Sequence, residues 1–455
     1  MADEQPVRPH LRTPWSRSRR PVPRVVLGPI QSFLRLETSG AIVLLASTMV
    51  ALVWANSPWY ESYERLWTTT FTVRIGDVVL SEDLRHWIND GLMALFFLIV
   101  GLEIKRELVT GELRQPRSVL LPALAALGGM VVPAAIYAAI NAGGPAVDGW
   151  GIPMATDIAF ALGVLTLAAR NAPPGLKPFL LTLALVDDVG AIVVIALFYS
   201  GGFEPGWVLV ALGIVAAIVA LQRIQVRWLP VYVLLGIALW FAVFESGVHA
   251  TIAGVILGLL TPALPFQRPD AVSAEAKRVA DLTVDDPSPP DADAEHWLDL
   301  ARLSREAVSP LARLEAGLHP WTSLLVIPLF ALANAGVRLS GGLIGDEVVR
   351  PVVVGIVLGL IVGKFVGVAG ATLGGARLGL GPVPEGVGRR GVFGVASVAG
   401  VGFTIALFIA DLAFADPELL QAAKVGILAA SVAAGAIGFA VLRLHRSRSA
   451  PTRQG

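Results

Sequence analysis

The chain has 455 residues, of which 55% are apolar and only 15% are charged, and its formal net charge is zero. This balance, together with a positive mean hydropathy, is typical of polytopic membrane proteins rather than of soluble globular ones. The absence of cysteine excludes disulfides, thiolate metal sites and cysteine nucleophiles, and six scattered histidines do not indicate a metal cluster.

Both ends of the chain are basic. The first 30 residues contain Arg8, Arg12, Arg17, Arg19, Arg20 and Arg24. Arg19-Arg20 is not typical of a twin-arginine export signal, because prolines surround it and no short apolar stretch with a small-residue cleavage site follows. We therefore predict basic cytoplasmic tails at 1–30 and 443–455, on either side of a transmembrane domain at 31–442.

Twelve apolar runs are long enough to cross about 30 Å of hydrocarbon. They lie at 38–56, 87–102, 118–140, 150–169, 176–198, 206–222, 229–244, 247–262, 321–337, 351–374, 390–412 and 421–442. The loops on one side of these runs hold 17 Lys and Arg residues, and the loops on the other side hold 6. Positive charge favours the cytoplasmic side, and two basic termini require an even number of crossings. We therefore predict twelve transmembrane helices with both termini in the cytoplasm.

The segment at 68–80 does not fit a membrane span. It is rich in β-branched residues and contains Gly76-Asp77 as a turn signal, which predicts a small external β-hairpin. An isolated hairpin is marginal in water. It therefore either packs on its own subunit or pairs with a strand of a second protomer, and the second alternative predicts a homodimer.

Residues 266–300 are acidic and rich in proline, as in Asp285-Asp286-Pro287-Ser288-Pro289-Pro290. This composition predicts a disordered cytoplasmic linker at 266–300. Apolar residues at helical spacing follow beside charges and predict an interfacial helix that leads into the ninth span. These apolar residues are Trp297, Leu298, Leu300, Leu303, Val308 and Leu311.

Two of the predicted spans are interrupted. Glycines and a proline at 149–153 precede Asp157 in the fourth span, and Ala399-Gly-Val-Gly-Phe-Thr404 interrupts the eleventh. Broken helices in the two halves of a chain are typical of inverted-repeat transporters. We therefore predict an all-α polytopic membrane fold that is built from inverted repeats.

Facing half-helix ends would leave concentrated partial charges at the two breaks. Asp157 is then expected to offset N-terminal helix ends, and Lys364 to offset C-terminal ends. Thr156 and Thr404 can supply hydroxyl or carbonyl oxygens beside the breaks.

Asp187 and Asp188 are the eleventh and twelfth residues of the run 176–198 and so lie near the middle of the membrane. One charge at the centre of a membrane helix costs roughly 2.5–3.5 kcal/mol on insertion scales. Desolvation and mutual repulsion both disfavour two full charges. Such a carboxylate can hold a proton or, once deprotonated, a small cation such as Na⁺ or Li⁺. The alternative is an internal ion pair that only fixes helix packing.

Lys364 lies near the centre of the tenth span, in Gly359-Leu-Ile-Val-Gly-Lys-Phe-Val-Gly367. A buried lysine without a counter-charge loses its proton readily, and an aspartate of the fifth span is its expected partner. If that partner is Asp187, an entering cation breaks the pair and releases a proton. A purely structural Asp–Lys bridge is the alternative.

Several motifs together carry a family resemblance. They are Ile88-Asn-Asp90, Phe96-Phe-Leu-Ile-Val-Gly-Leu-Glu-Ile-Lys-Arg-Glu107, Ala155-Thr-Asp-Ile-Ala-Phe-Ala-Leu-Gly163, Val186-Asp-Asp188, Ser246-Gly-Val-His-Ala-Thr251, His319-Pro-Trp321 and Gly402-Phe-Thr404. From residue 30 to residue 442 the chain resembles the NhaA family of bacterial Na⁺/H⁺ antiporters. The resemblance implies a bacterial cell-membrane protein of twelve helices in which the two broken helices cross.

The same resemblance implies electrogenic exchange of two protons for one Na⁺ or Li⁺. Asp187 and Asp188 would form the cation and proton site, which Asp157 and Lys364 complete, with Thr156 near the bound ion.

The family also has pH-responsive charges, and the matching positions are Glu103, Arg106, Glu107, Glu315 and His249. From the residues themselves, a solvated helix end at 103–107 and a packing hydrogen bond at His249 are the alternatives. The chain departs from the family's usual pattern in its long basic N-terminal tail and in its lengthened acidic loop at 266–300.

Other uses of paired aspartates fit less well. An intramembrane aspartyl protease needs its aspartates on facing helices, and a cation channel needs no lysine–carboxylate pair. A sodium-coupled symporter of related fold is the serious alternative, but Lys364 is the only cation at the predicted midplane to receive an organic substrate. We therefore predict a transporter rather than an enzyme, an Na⁺(Li⁺)/H⁺ antiporter for pH and sodium homeostasis. It would lie in the lipid bilayer, with no cofactor, organic substrate or nucleic-acid partner.

Overall fold

The computed structural model describes residues 39–76, 78–114, 116–168, 173–285, 294–338, 347–383 and 386–446. These residues are mainly helical and include one two-stranded sheet. The predicted tail at 1–30 lies outside them, and so does the tail at 443–455 beyond the end of the last helix at Arg446.

The first half of the chain contains the predicted hairpin between its first helices. In order, its elements are α1 (Ser39–Ala55), α2 (Tyr60–Trp67), β1 (Thr70–Ile75), β2 (Val78–Asp83), α3 (Leu84–Val109), a 3-10 turn (Glu112–Arg114), α4 (Pro116–Ile140), a 3-10 helix (Val147–Met154), α5 (Ile158–Ala168), α6 (Leu176–Phe198), α7 (Pro205–Arg223), α8 (Leu229–Glu245) and α9 (Thr251–Leu260).

All secondary-structure elements described in the second half are helices. Its elements are α10 (Pro269–Asp285), α11 (Ala294–Glu306), α12 (Pro310–Asn334), α13 (Val349–Arg377), α14 (Arg389–Val398), α15 (Thr404–Ala413) and α16 (Pro417–Arg446). Three long helices contain a π turn, which is frequent at functional sites: α3 at Trp87–Leu92, α12 at Thr322–Val326 and α13 at Gly359–Gly363.

Each of the twelve predicted apolar runs coincides with a helix or a broken helix. By length and composition alone, seven of the described helices can cross a membrane, or nine when each bent pair counts as one span. The remaining runs correspond to the shorter helices α8 and α9 and to the pair α14 and α15. The helix at the ninth run, α12, begins earlier than predicted, at Pro310. The Ser309 hydroxyl caps this helix by accepting the Ala312 N–H at 3.2 Å.

Glycines let two pairs of helices approach at backbone distance. Where α3 crosses α9, a Cβ atom on Gly258 would lie 2.6 Å from the carbonyl carbon of Gly101. Where α4 crosses α13, a Cβ atom on Gly367 would lie 2.6 Å from the carbonyl carbon of Gly128. Small residues at helix crossings are typical of membrane proteins. At the second crossing α13, which contains Lys364, lies close to α4.

The predicted hairpin is confirmed, and its second strand runs on to Asp83. The two strands pair antiparallel along their whole length, and Gly76 takes the left-handed conformation (φ 62°) that a tight turn needs. Trp87 of α3 packs its ring 5.9 Å from that of Phe71 and donates its indole N–H to the Phe71 carbonyl at 2.9 Å. The hairpin therefore contacts its own subunit through Trp87, at the end of the bundle that we call the hairpin face. Pairing of the hairpin with a second protomer stays a prediction.

The prediction of a disordered linker over 266–300 is wrong for the residues that the structure describes. Pro269–Asp285 of the segment form helix α10, and α11 begins at Ala294; the residues between them, 286–293, lie outside the described part of the chain. The helix predicted from Trp297 onward is confirmed and is α11. It ends at Glu306 and is separate from α12.

The physical reason lies in the local composition of α10. Between Ala271 and Ala280 it consists largely of alanine, glutamate, lysine and arginine, whose helix propensity outweighs the acidic, proline-rich average of the whole segment. Val272 and Val279 are buried seven residues apart, on one face of the helix.

An ion pair joins the end of α11 to the loop between α7 and α8. Arg227 Nη1 lies 2.7 Å from Glu306 Oε2, and its guanidinium stacks 4.6 Å from the centre of the Phe266 ring. The hydrogen bond from Arg227 lowers the pKa of the Glu306 carboxyl.

Candidate functional site

The two interrupted spans meet where their chains leave helical geometry. After the 3-10 helix, residues 155–157 lie outside any helix, with Ala155 extended, and between α14 and α15 residues 399–403 form a turn followed by a non-helical segment. Asp157 N donates to the Val401 carbonyl at 2.7 Å, and the Thr156 hydroxyl donates to the Ala399 carbonyl at 2.8 Å. These hydrogen bonds join the two breaks, so the predicted meeting of two broken helices is confirmed.

Asp157 caps a helix on each side of the meeting point. Its Oδ1 accepts the Phe160 N–H at 3.1 Å, at the start of α5. Its Oδ2 accepts the Thr404 N–H at 3.1 Å and the Thr404 hydroxyl at 2.6 Å, at the start of α15. One buried carboxylate thus offsets the partial positive charge of two helix N-termini, as predicted. The contacts described for Lys364 do not test its offset of C-terminal ends, which stays a prediction.

Asp187 and Asp188 lie in the middle of α6, and both are buried. Lys364 follows the π turn of α13 directly, and its Nζ donates to Asp187 Oδ2 at 2.5 Å, with no exposed surface on either side chain. The predicted pairing of Lys364 with an aspartate of the fifth span is confirmed, and that aspartate is Asp187. Desolvation offsets much of the attraction in a buried ion pair. The net stabilisation from the Lys364–Asp187 pair is therefore small, and a third charge nearby can break the pair.

Two oxygens of the aspartate pair are buried without a hydrogen-bond partner among the described residues, Asp187 Oδ1 and Asp188 Oδ1. A buried polar atom left in this state costs about 1–3 kcal/mol. The charges that act on Asp188 are the carboxylates of Asp187, Glu103 and Asp157 and the more weakly acting ammonium of Lys364. A proton, or a cation that takes oxygen ligands, would satisfy both oxygens.

Thr156 adds a further oxygen to this set. It lies beside Asp187, and its hydroxyl keeps acceptor capacity after it donates to Ala399. Hard cations prefer oxygen ligands, so Asp187, Asp188 and Thr156 are the side chains of this site that could hold Na⁺. Within the described ranges, no group of three or more His, Cys, Asp or Glu side chains is arranged to hold a metal ion.

Four of the five positions matched to pH-responsive charges lie together. Arg106 of α3 lies 3.7 Å from Glu103 and 3.6 Å from Glu107, and it also pairs with Glu315 of α12. One guanidinium thus contacts all three carboxylates. The role of this cluster in pH response stays a prediction.

His249 makes its contacts elsewhere. Its Nε2 lies 2.5 Å from the Tyr199 carbonyl, and its ring packs edge-on against Phe408 with centroids 6.3 Å apart. This geometry matches the helix-packing hydrogen bond that the residues by themselves suggest. A part for His249 in pH response likewise stays a prediction.

A second buried polar cluster was not predicted from the sequence. Asn89, Asn334, Asp411 and Lys424 meet where α3, α12, α15 and α16 come together. Asp411 and Lys424 lie inside the eleventh and twelfth predicted spans, and an ionisable residue inside a span is the signal that could have found them.

Broken helices that meet over buried carboxylates, in a bundle of long apolar helices, define a multi-pass membrane protein of the broken-helix transporter class. The family model described as Na⁺/H⁺ antiporter 1 matches residues 31–442, and the chain belongs to this family. The family resemblance drawn from the motifs is confirmed.

Similar proteins cover nearly the whole chain. It is 47% identical over 443 residues to the Na(+)/H(+) antiporter NhaA of Anaeromyxobacter sp., a match that covers 96% of this chain and 95% of the relative. It is 46% identical over 434 residues to the Na(+)/H(+) antiporter NhaA 2 of Sorangium cellulosum, covering 94% of this chain and 92% of the relative. Among solved structures, the sodium proton antiporter MjNhaP1 from Methanocaldococcus jannaschii matches 93% of this chain and 99% of its own, with a TM-score of 0.51 at 11% identity. That last match supports the fold alone.

Asp157→Ala is expected to lower the melting temperature of the purified protein in detergent. It removes the caps of α5 and α15 together, and hydrogen bonds to a charged group contribute about 1.5–3 kcal/mol each. Thr404→Val should have a smaller effect in the same direction. Thr166→Val is the control, because its exposed hydroxyl bonds only within its own helix, to the Leu162 carbonyl at 2.7 Å. A wild-type melting temperature for Asp157→Ala would show that this carboxylate does not hold the breaks together.

Proposed function

We propose that the protein is a secondary transporter that exchanges Na⁺ or Li⁺ for protons, exporting sodium and importing protons. One observation carries the proposal. The buried aspartates at the meeting of two broken spans offer one carboxylate paired with Lys364 and two oxygens without hydrogen-bond partners among the described residues. The relatives that are named Na(+)/H(+) antiporters support the same activity.

Exchange follows from competition for the carboxylate oxygens. In the proton-loaded form Asp188 holds a proton, and Asp187 is paired with the Lys364 ammonium, so the three side chains together are neutral. A Na⁺ that binds both carboxylates requires Asp188 to release its proton, and it displaces the ammonium from Asp187. The displaced ammonium then loses a proton, because a buried charge without a partner is unstable.

The charge count makes this exchange electrogenic. The cation-loaded form contains two carboxylates, one Na⁺ and a neutral lysine, with a net charge of −1. Two protons have therefore left for one Na⁺, and each cycle moves one charge across the membrane.

Exchange without leakage requires a site that opens to one face at a time. We place the hinge at the non-helical segments 155–157 and 399–403, because backbone outside helices can change its dihedral angles without breaking a helix. Rotation of the helix halves about this point would expose the aspartates to either face in turn.

Asp187→Asn and Asp188→Asn should each abolish exchange, because asparagine cannot ionise and so cannot trade a proton for a cation. The assay uses everted or reconstituted vesicles that hold a pH gradient, to which Na⁺ or Li⁺ is added with no organic solute present. The control is Asp299→Asn, which neutralises an exposed carboxylate of α11 and should exchange at the wild-type rate.

Two outcomes would contradict the proposal. If the Asp188→Asn protein exchanged at the wild-type rate, with equal amounts of protein in the membrane, Asp188 would not belong to the exchange site. A wild-type protein that moves Na⁺ only with an organic solute would favour the sodium-coupled symporter.

Lys364→Ala should reduce the charge moved per Na⁺ or raise the apparent Km for Na⁺, because the second proton loses its carrier and Asp187 loses its counter-charge. The membrane potential generated per Na⁺ in reconstituted vesicles measures the first effect. Lys277→Ala, at an exposed position of α10, is the matched control. If neither quantity changes, Lys364 serves only in packing.

We further propose that the protein lies in a bacterial cell membrane with both termini in the cytoplasm, and that it forms a homodimer through the hairpin at 68–80. The unequal distribution of 17 and 6 Lys and Arg residues between the two sets of loops supports the orientation. The hairpin leaves Phe71 and Val79 half exposed, and a two-stranded sheet gains stability from a further strand, which supports the dimer.

The chain has no cysteine, so single introduced cysteines test orientation and assembly together. Val79→Cys, in the hairpin, should react with a membrane-impermeant thiol reagent in intact cells, and a bifunctional thiol crosslinker should join two protomers. Leu282→Cys, in α10, should react only after the cells are permeabilised and should not crosslink. Labelling of Leu282→Cys in intact cells would refute the proposed orientation. A Val79→Cys protein that is not crosslinked would refute the proposed dimer.

A further inference from the structure

Four polar side chains meet near the hairpin face. Asn334 Nδ2 donates to Asn89 Oδ1 at 2.8 Å, and Asn89 Nδ2 donates to Asp411 Oδ2 at 2.6 Å. Lys424 Nζ lies 4.0 Å from Asp411 Oδ1. We call these four residues the outer cluster. Each comes from a different helix, so the cluster exists only because α3, α12, α15 and α16 converge there.

The outer cluster is buried but reaches the surface at one point. Asn89, Asn334 and Lys424 expose 5%, 1% and 7% of their surface, whereas the Asp411 side chain exposes 23%. Asn334 Oδ1 is buried and has no hydrogen-bond partner within the described part of the chain. The cluster therefore combines a partly exposed carboxylate with a buried oxygen that can still accept a ligand.

Helix α15 connects the outer cluster to the central site. Thr404, at the start of α15, donates to Asp157, and Asp411 lies seven residues further on. Seven residues make nearly two turns, so both side chains lie on one face, about 10 Å apart along the axis. Phe408 lies between them and is buried against Phe97 and Phe330, with ring centroids 5.5 and 6.4 Å apart. A layer of aromatic rings thus separates two polar sites on one helix face.

The chemistry of the outer cluster resembles that of the central pair. In each case a buried lysine faces an aspartate, and a π turn adjoins the polar groups, with Asn89 inside the π turn of α3. The contact between Lys424 and Asp411, at 4.0 Å, is longer than the 2.5 Å bond between Lys364 and Asp187. Lys424 therefore holds its carboxylate less tightly.

The other charges near Lys424 largely compensate each other. Arg85 and Glu64 both act on Lys424 electrostatically, and they pair with each other at 3.2 Å. Lys424 is consequently the main counter-charge of the Asp411 carboxylate.

We propose that the outer cluster is a second alkali-cation site, which Na⁺ or Li⁺ occupies between the solution at the hairpin face and the central aspartates. Asp411 supplies the negative charge, and the amide oxygen of Asn334, which has no hydrogen-bond partner among the described residues, supplies a further ligand of the type that hard cations prefer. The Asn89 amide, which donates to Asp411 in this structure, would turn to offer its oxygen to the cation. Lys424 is the counter-charge that the cation displaces. The direction of ion flow in this inference rests on the proposed Na⁺/H⁺ exchange.

A purely structural bridge predicts a different result for two matched variants. Removing either partner of a bridge leaves the other uncompensated, so Asp411→Asn and Lys424→Gln would weaken the protein in the same direction. At a cation site the same variants act in opposite directions, because one removes a ligand and the other removes a competitor.

The first experiment measures the Km for Na⁺ at each face, in vesicles whose orientation is established by labelling Val79→Cys. Asp411→Asn should raise the Km at the hairpin face about tenfold, as expected for the loss of one charged ligand, and leave the Km at the opposite face unchanged. Lys424→Gln should lower the Km at the hairpin face. Equal changes at both faces, or changes of the same sign in both variants, would overturn the inference.

The second experiment separates this inference from the proposed function by measuring binding instead of transport. Sodium NMR line broadening follows a Na⁺ titration of the purified double variant Asp187→Asn/Asp188→Asn, whose central site is disabled. Saturable broadening should remain and should disappear when Asp411→Asn is added. No saturable broadening in the double variant would refute the outer site, even if the wild type exchanges ions. Failure of the wild type to exchange would refute the proposed function and leave the binding result standing.

Discussion

The interior of a membrane holds ionic charge only where each charge is paired, caps a helix end or can be exchanged, and this constraint shapes the centre of the protein. A single charge there costs roughly 2.5–3.5 kcal/mol on insertion scales. Asp157 meets the constraint by capping two helix N-termini, and Lys364 meets it by pairing with Asp187. Asp188 has neither arrangement among the described contacts, which is why we propose it as the group that trades a proton for a cation.

The helix packing makes these short polar contacts attainable. α13 lies against α4 at backbone distance through Gly128 and Gly367, and the stem of Lys364 passes over Gly129, where a Cβ atom would lie 3.6 Å from Lys364 Cδ. Close approach through small residues, which in many membrane proteins serves association alone, here also positions a charge. The central chemistry therefore depends on backbone contacts that carry no charge themselves.

The linker shows how composition can mislead. The prolines and aspartates after residue 284 dominate the average of 266–300, but α10 ends at Asp285, and the residues before it are strong helix formers with a buried valine stripe. Helix formation depends on propensity and packing over three or four turns. A composition averaged over 35 residues mixes two different segments.

Local sequence by itself determined the helices and the candidate charges. Backbone groups in hydrocarbon must be hydrogen-bonded within the segment, so each long apolar run predicted a helix, and Asp157, Asp187, Asp188 and Lys364 were conspicuous as ionisable residues inside such runs. Only the tertiary structure decided which aspartate pairs with Lys364, that Asp157 caps a helix 247 positions away, and that the four residues of the outer cluster meet. The reason is physical: these contacts join separate helices, and the periodicity of a helix contains no information about which other helix packs against it.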